Sequence, residues 1–77
     1  MANFAERLSE LIETNGVSKK DLAAILGVTY RNLRRYETGE RKPDFDGLIK
    51  LADFFNVSLD YLVGRTDDPT PPPRSSS

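Results

Sequence analysis

Residues 19–36 read KKDLAAILGVTYRNLRRY, and this stretch decides the fold. Ser18 precedes it as a helix N-cap, with Asp21 in the first turn where a negative charge favours the helix dipole. Leu22, Ala23, Ile25 and Leu26 supply an apolar side at helical spacing. Gly27 stops this helix, because glycine enters the left-handed region without a Cβ penalty. Thr29 caps a second helix only two residues later, running from Tyr30 to about Thr38 and closed by Gly39, with Leu33 and Tyr36 inward. Two helices so short and so tightly joined need a small residue at their crossing, a turn residue tolerant of positive φ, and large apolar anchors on the second helix. Ala23, Gly27, Leu33 and Tyr36 meet these demands, and Val28 adds an apolar plug after the glycine.

The flanks extend the same pattern. Upstream, Asn3 and Glu6 have the form of a capping box, and Phe4, Leu8, Leu11 and Ile12 follow at helical spacing to about Thr14, where Asn15-Gly16 ends the helix. Downstream, Glu40, Arg41, Lys42 and Pro43 form a charged connection to a helix capped by Asp44, with apolar positions Phe45, Leu48, Ile49, Leu51, Ala52 and Phe55. Gly47 weakens that helix by up to ~1 kcal/mol. Ser58 caps a short fifth helix carrying Leu59 and Leu62, ended by Gly64. Nothing alternates as a strand would. The fold class is all-α, five helices within residues 1–65. From Thr66 the chain turns to Asp, Pro, Thr and Ser; residues 66–77 cannot pack a core and are expected to be extended or disordered, as a tail or a linker.

Composition narrows the function classes. The 77 residues fit one domain. The absence of cysteine excludes disulfides and thiolate metal sites, and the absence of histidine removes the commonest general base and the commonest other metal ligand. A few carboxylates without a glycine-rich phosphate loop give no recognisable catalytic set, so neither an enzyme nor a cofactor is expected. No apolar run approaches the ~20 residues that span a membrane, and the N-terminus lacks the layout of a secretory signal. The expectation is a cytoplasmic protein. Its net charge is −1, unevenly placed. Residues 17–42 hold seven basic side chains against three acidic ones, a local charge of +4, and the remainder carries −5. Partner choice follows such local charge more than the total.

The outer face of the second short helix is left to Tyr30, Arg31, Asn32, Arg34 and Arg35. In a DNA major groove, Arg can donate two bonds to guanine O6 and N7, and Asn can pair with adenine. Tyr can offer a hydroxyl to a phosphate or a ring to a thymine methyl. The blander alternative is an amphipathic helix with arginines for solubility. Three arginines within five residues, directly after a helix start, favour the first reading.

These residues resemble the Cro/CI-type helix-turn-helix family, also called the Xre family, of bacterial and phage repressors. The resemblance is carried by Gly16-Val17-Ser18, Leu22-Ala23, Leu26-Gly27-Val28-Thr29, Leu33, Tyr36-Glu37, Gly39, Arg41-Lys42-Pro43, Leu48, Leu51-Ala52 and Phe55 through Asp60. It implies a compact, five-helix, lambda-repressor-like domain used as a symmetric homodimer on a partly palindromic double-stranded DNA operator. The third helix would lie in the major groove and the N-terminus of the second would face the backbone. On that footing Tyr30, Arg31 and Arg35 are expected to read bases. Lys19, Thr29, Asn32, Arg34, Arg41 and Lys42 are expected to contact phosphates.

Three positions depart from the family pattern. Lys19 stands where Gln is usual, keeping a charge for phosphate but losing the amide that braces the recognition helix. Glu37 usually pairs with an Arg on helix 1, where this chain has Ile12, so Arg34 or Arg41 is the expected partner. Phe54 replaces a small residue; it is expected to join Tyr61 and Val63 in a dimer interface, the alternative being that it folds back on its own core. The runner-up function is a protein-interaction module for an antitoxin- or antirepressor-type partner, with a protein regulator possible in either case. A face for such a partner should be apolar, whereas this one is charged.

Overall fold

The computed structural model describes residues 3–71. It contains α1 (Phe4–Asn15), α2 (Lys19–Leu26), α3 (Tyr30–Thr38), α4 (Phe45–Phe55) and α5 (Leu59–Leu62), with no strand among the described residues. Each expected N-cap is in place: the side chains of Asn3, Ser18, Thr29, Asp44 and Ser58 each accept from the backbone N–H three residues on, at 2.8–3.3 Å. These bonds satisfy donors that every helix start leaves free.

Three of the connections share one construction. Gly16-Val17-Ser18, Gly27-Val28-Thr29 and Asn56-Val57-Ser58 each place a left-handed residue, then a valine, then the next N-cap. In each, the valine N–H donates to a carbonyl five residues back, at 3.0–3.1 Å, closing the preceding helix while the valine side chain folds onto the core.

The centre of the domain is one leucine from each helix: Leu8, Leu22, Leu33, Leu51 and Leu62 are all fully buried. Phe4, Leu11, Ile12, Ala23, Leu26, Ala52 and Val57 surround them, and Tyr36, Leu48, Phe55 and Tyr61 pack from the side. α1 lies against α3 and α5, and α4 lies against α5 and α2.

Three apolar positions assigned inward sit outside. Ile25 is 50% exposed, because Leu22, Ala23 and Leu26 form the buried stripe and Ile25 lies about 100° around the helix from its centre. Phe45 is 70% exposed; it is in phase with the buried stripe of α4 but one turn beyond the end of the core. Leu59, the first residue of the single-turn α5, is also exposed.

Arg7 was not expected in the core, yet it is buried on α1. Its guanidinium lies 3.9 Å from the centre of the Tyr61 ring and donates to Thr66 O at 3.4 Å and Asp67 Oδ1 at 3.2 Å. Burial opposes the charge, and the Tyr61 and Asp67 partners outweigh it, holding the guanidinium pKa above its ordinary value. The Ser58 N–H also donates to Pro69 O at 3.1 Å. Residues 66–71 have no helix or strand and are tied back as a strap over α1 and α5. Residues 72–77 of the expected tail lie outside the described residues.

Two glycines differ in what they permit. A Cβ on Gly27, at φ +72°, would meet nothing within 4 Å, so Gly27→Ala is expected to cost the backbone penalty alone, about 1–2 kcal/mol. A Cβ on Gly47 would lie 2.9 Å from Cβ of the buried Pro43. Gly47→Ala is therefore expected to destabilise despite a helix-propensity gain of up to ~1 kcal/mol. Urea denaturation of both variants checks this; a stabilised Gly47→Ala would show that Pro43 and the first turn of α4 yield freely.

Candidate nucleic-acid interface

The turn at Gly27-Val28-Thr29 and the anchors Leu33 and Tyr36 fix which face of α3 is presented. With Leu33 buried and Asn32, Arg35, Tyr36 and Glu37 half-buried, the exposed strip runs through Tyr30, Arg31, Arg34 and Thr38. Tyr30 and Arg31 stand in the first turn, directly after the Thr29 cap, and Arg34 stands one turn on.

Arg35 is partly withdrawn beside this strip. Its Nε lies 3.8 Å from Glu40 Oε2, in a pair whose two side chains are both well exposed. Such a pair contributes about 0–1 kcal/mol, against about 1–3 kcal/mol for a bidentate guanine contact. Glu40 therefore holds Arg35 only weakly. Asn32, Arg41 and Lys42 line one depression with Val28, Asp46 and Lys50, which gathers three expected phosphate partners on one flank of α3. Lys50 joins them from α4. Sequence reasoning missed it, because it lies outside the basic segment and only the packing of α4 against α2 brings it there. Thr29 is exposed at the start of α3, where its hydroxyl already accepts from Asn32 N–H.

Lys19 departs from expectation. Its Nζ lies 3.3 Å from Glu37 Oε1, so the partner of Glu37 is Lys19 rather than Arg34 or Arg41. Both of those arginines are exposed, whereas the Glu37 side chain is only 10% exposed and turned toward α2. The charge pattern held the components of this pair but not their pairing, because they are 18 residues apart and meet only when α2 crosses α3.

A second depression is lined by carboxylates. Asp53, Asp60 and Asp68 rim a shallow groove between the end of α4, the start of α5 and the strap, with Ile49, Ala52 and Val57 among its lining. Phe54 is 39% exposed and packs edge-on against Phe55, ring centres 5.0 Å apart. Tyr61 is half-buried with one ring face under Arg7, and Val63 is half-buried beside Phe4 and Leu48. No group of His, Cys, Asp or Glu among the described residues is arranged to hold a metal, and no helix there is long and apolar enough to cross a membrane.

Known proteins share this architecture. The helix-turn-helix family profile matches residues 8–62. A transcriptional regulator from Listeria innocua superposes with a TM-score of 0.77 at 44% identity, covering 79% of this chain and 57% of that one. The HTH-type transcriptional regulator ImmR of Bacillus subtilis is 38% identical over 65 residues, 84% of this chain and 51% of its own length. The transcriptional repressor RstR of the cryptic phage CTXphi in Vibrio cholerae is 32% identical over 60 residues, 78% of this chain and 54% of its own. The chain thus spans little more than half the length of these relatives. Five helices, the turn at Gly27 and these likenesses together place the chain in the Xre-type helix-turn-helix family of transcriptional regulators.

Proposed function

We propose that this domain binds double-stranded DNA sequence-specifically as part of a transcriptional regulator, most simply a repressor acting in the cytoplasm. The observation that carries this reading is the strip of Tyr30, Arg31 and Arg34, presented by a helix whose other side is anchored on Leu33. An exposed row of guanidinium groups suits a groove lined by hydrogen-bond acceptors. No catalytic role is part of the proposal.

Tyr30, Arg31 and Arg35 would read base edges. Thr29, Asn32, Arg34, Arg41 and Lys42 would contact phosphates, joined by Lys50. Lys19 is left out of this set because Glu37 engages its ammonium. The backbone N–H groups at the start of α2 would face a phosphate, where the helix dipole favours an anion. Two copies joined through Phe54, Tyr61 and Val63 would place their α3 helices in major grooves about 34 Å apart, on a partly palindromic operator. Of these three, Phe54 offers the most free surface, since Arg7 covers one face of Tyr61.

Selection of bound duplexes from a random pool at about 0.15 M salt tests the main reading. The expected product is a two-fold symmetric site, lost in an Arg31→Ala/Arg35→Ala variant. A wild type that enriches nothing would overturn it. Within a selected site, Arg31→Ala is expected to cost about 1–3 kcal/mol and to relax preference at one position. Lys42→Ala should weaken all sequences alike and lower the salt slope by about 0.9. Identical behaviour of these two variants on all DNA would abolish the division between base and phosphate contacts.

The dimer is tested separately by sedimentation equilibrium. Phe54→Ala is expected to shift the population toward monomer. An undiminished dimer would exclude Phe54 from the interface.

A further inference from the structure

We propose that Lys19 is a positioning residue, which through Glu37 fixes the angle at which α2 presents the recognition helix α3. The proposal rests on the DNA-binding reading above and assigns a role within it. Lys19 is the first residue of α2, and Glu37 is the next to last of α3. The turn joins the opposite ends of the two helices. Seven positions separate Lys19 from Leu26, and seven separate Tyr30 from Glu37, about 10 Å of helix in each case. The ion pair therefore spans the open side of an angle whose vertex is the turn. Apolar packing of Leu22, Leu26 and Leu33 fills that angle, but such contacts are non-directional and tolerate small rotations. An ion pair that ties the far ends of the two helices together opposes such rotation.

Burial and charge explain why Lys19 takes this part. Glu37 keeps only 10% of its side chain exposed, and a carboxylate so withdrawn needs a cation. The helix packed against α3 on its other side, α1, has Arg7 as its one basic residue, and Arg7 is engaged with Tyr61 and Asp67. At Ile12 that helix offers only an apolar side chain, itself buried. Arg34 and Arg41 are exposed. Lys19 is the cation that reaches Glu37, its Nζ 3.3 Å away with 37% of its side chain exposed. A phosphate that drew the ammonium away would leave Glu37 uncompensated, so this charge belongs to the angle between the helices and not to the DNA backbone.

The test compares discrimination with salt dependence. Affinities for the selected site and for an unrelated duplex are measured across a salt series for wild type, Lys19→Gln, Lys19→Arg, Glu37→Gln and the exchange Lys19→Glu/Glu37→Lys. Lys19→Gln and Glu37→Gln are expected to lower the ratio of specific to unrelated binding by about fivefold or more, with the salt slope of Lys19→Gln unchanged. Lys19→Arg should keep the wild-type ratio, and the exchange should recover it, although it moves a carboxylate to the start of α2. A Lys19→Gln variant whose slope falls by about 0.9 at an unchanged ratio would make Lys19 a phosphate contact and overturn the proposal. If the single variants are unfolded by circular dichroism, the two that keep the pair decide: folded and discriminating supports the strut, while a folded exchange without discrimination refutes it. Failure of the underlying DNA-binding reading is told apart because it would appear in the unmutated chain, as the absence of any discrimination.

Discussion

Five leucines, one from each helix, meet at the centre of the domain, and every other feature depends on that junction. Among the described residues no helix is longer than 12 residues, and the shortest has four, so none would persist alone in water. Each is held by the leucine it contributes. Truncating such a side chain typically costs about 2–5 kcal/mol, against roughly 4–10 kcal/mol of total stability for a domain this size. A single lost leucine therefore threatens the whole fold. Leu22 and Leu33 belong to α2 and α3, so the same junction that stabilises the domain also holds α3 against α2 with its arginines outward. Stability and recognition cannot be separated in so small a core.

Much of this was legible in the sequence because the signals are local. Caps act over three residues and helix stops over five. Ser18, Gly27, Thr29, Asp44 and Ser58 accordingly fixed the helix ends to within a residue or so. The left-handed residue, valine and cap that recur at three connections were visible as separate signals; their shared construction emerges only from the bonds that the valine N–H groups make. Periodicity was a weaker guide. It marked Ile25 and Phe45 as apolar positions but could not show that the core ends before reaching them. The strap over α1 was hidden for a similar reason. Proline-rich composition rules out a helix from Thr66 on, yet it says nothing about Arg7, some 60 residues earlier, whose buried charge draws Asp67 and the Thr66 carbonyl onto the domain.

The candidate interface divides along the same line. That α3 would carry an exposed basic face followed from Leu33 and Tyr36 as anchors, and Tyr30, Arg31 and Arg34 lie on that face. What could not be read was which charges would be engaged before any ligand arrives. Lys19 and Arg35 have the same formal charge as Arg31, but the fold pairs them with Glu37 and Glu40. Lys50, outside the basic segment, joins Arg41 and Lys42 by the packing of α4. Pairing across helices depends on crossing geometry, which composition and spacing do not encode.

Two of the three carboxylates within the basic segment, Glu37 and Glu40, pair with its cations, and this has a physical rationale in the proposed DNA recognition. Phosphate contacts strengthen binding to every sequence alike, so adding free cations raises non-specific and specific affinity together. Glu37 withdraws one cation from that pool and makes it part of the scaffold, while Glu40 restrains Arg35 only loosely. A domain with net charge −1 can thus be attracted to a polyanion through its local basic segment. Its discrimination then rests less on how much positive charge it carries than on which of those charges the fold leaves free.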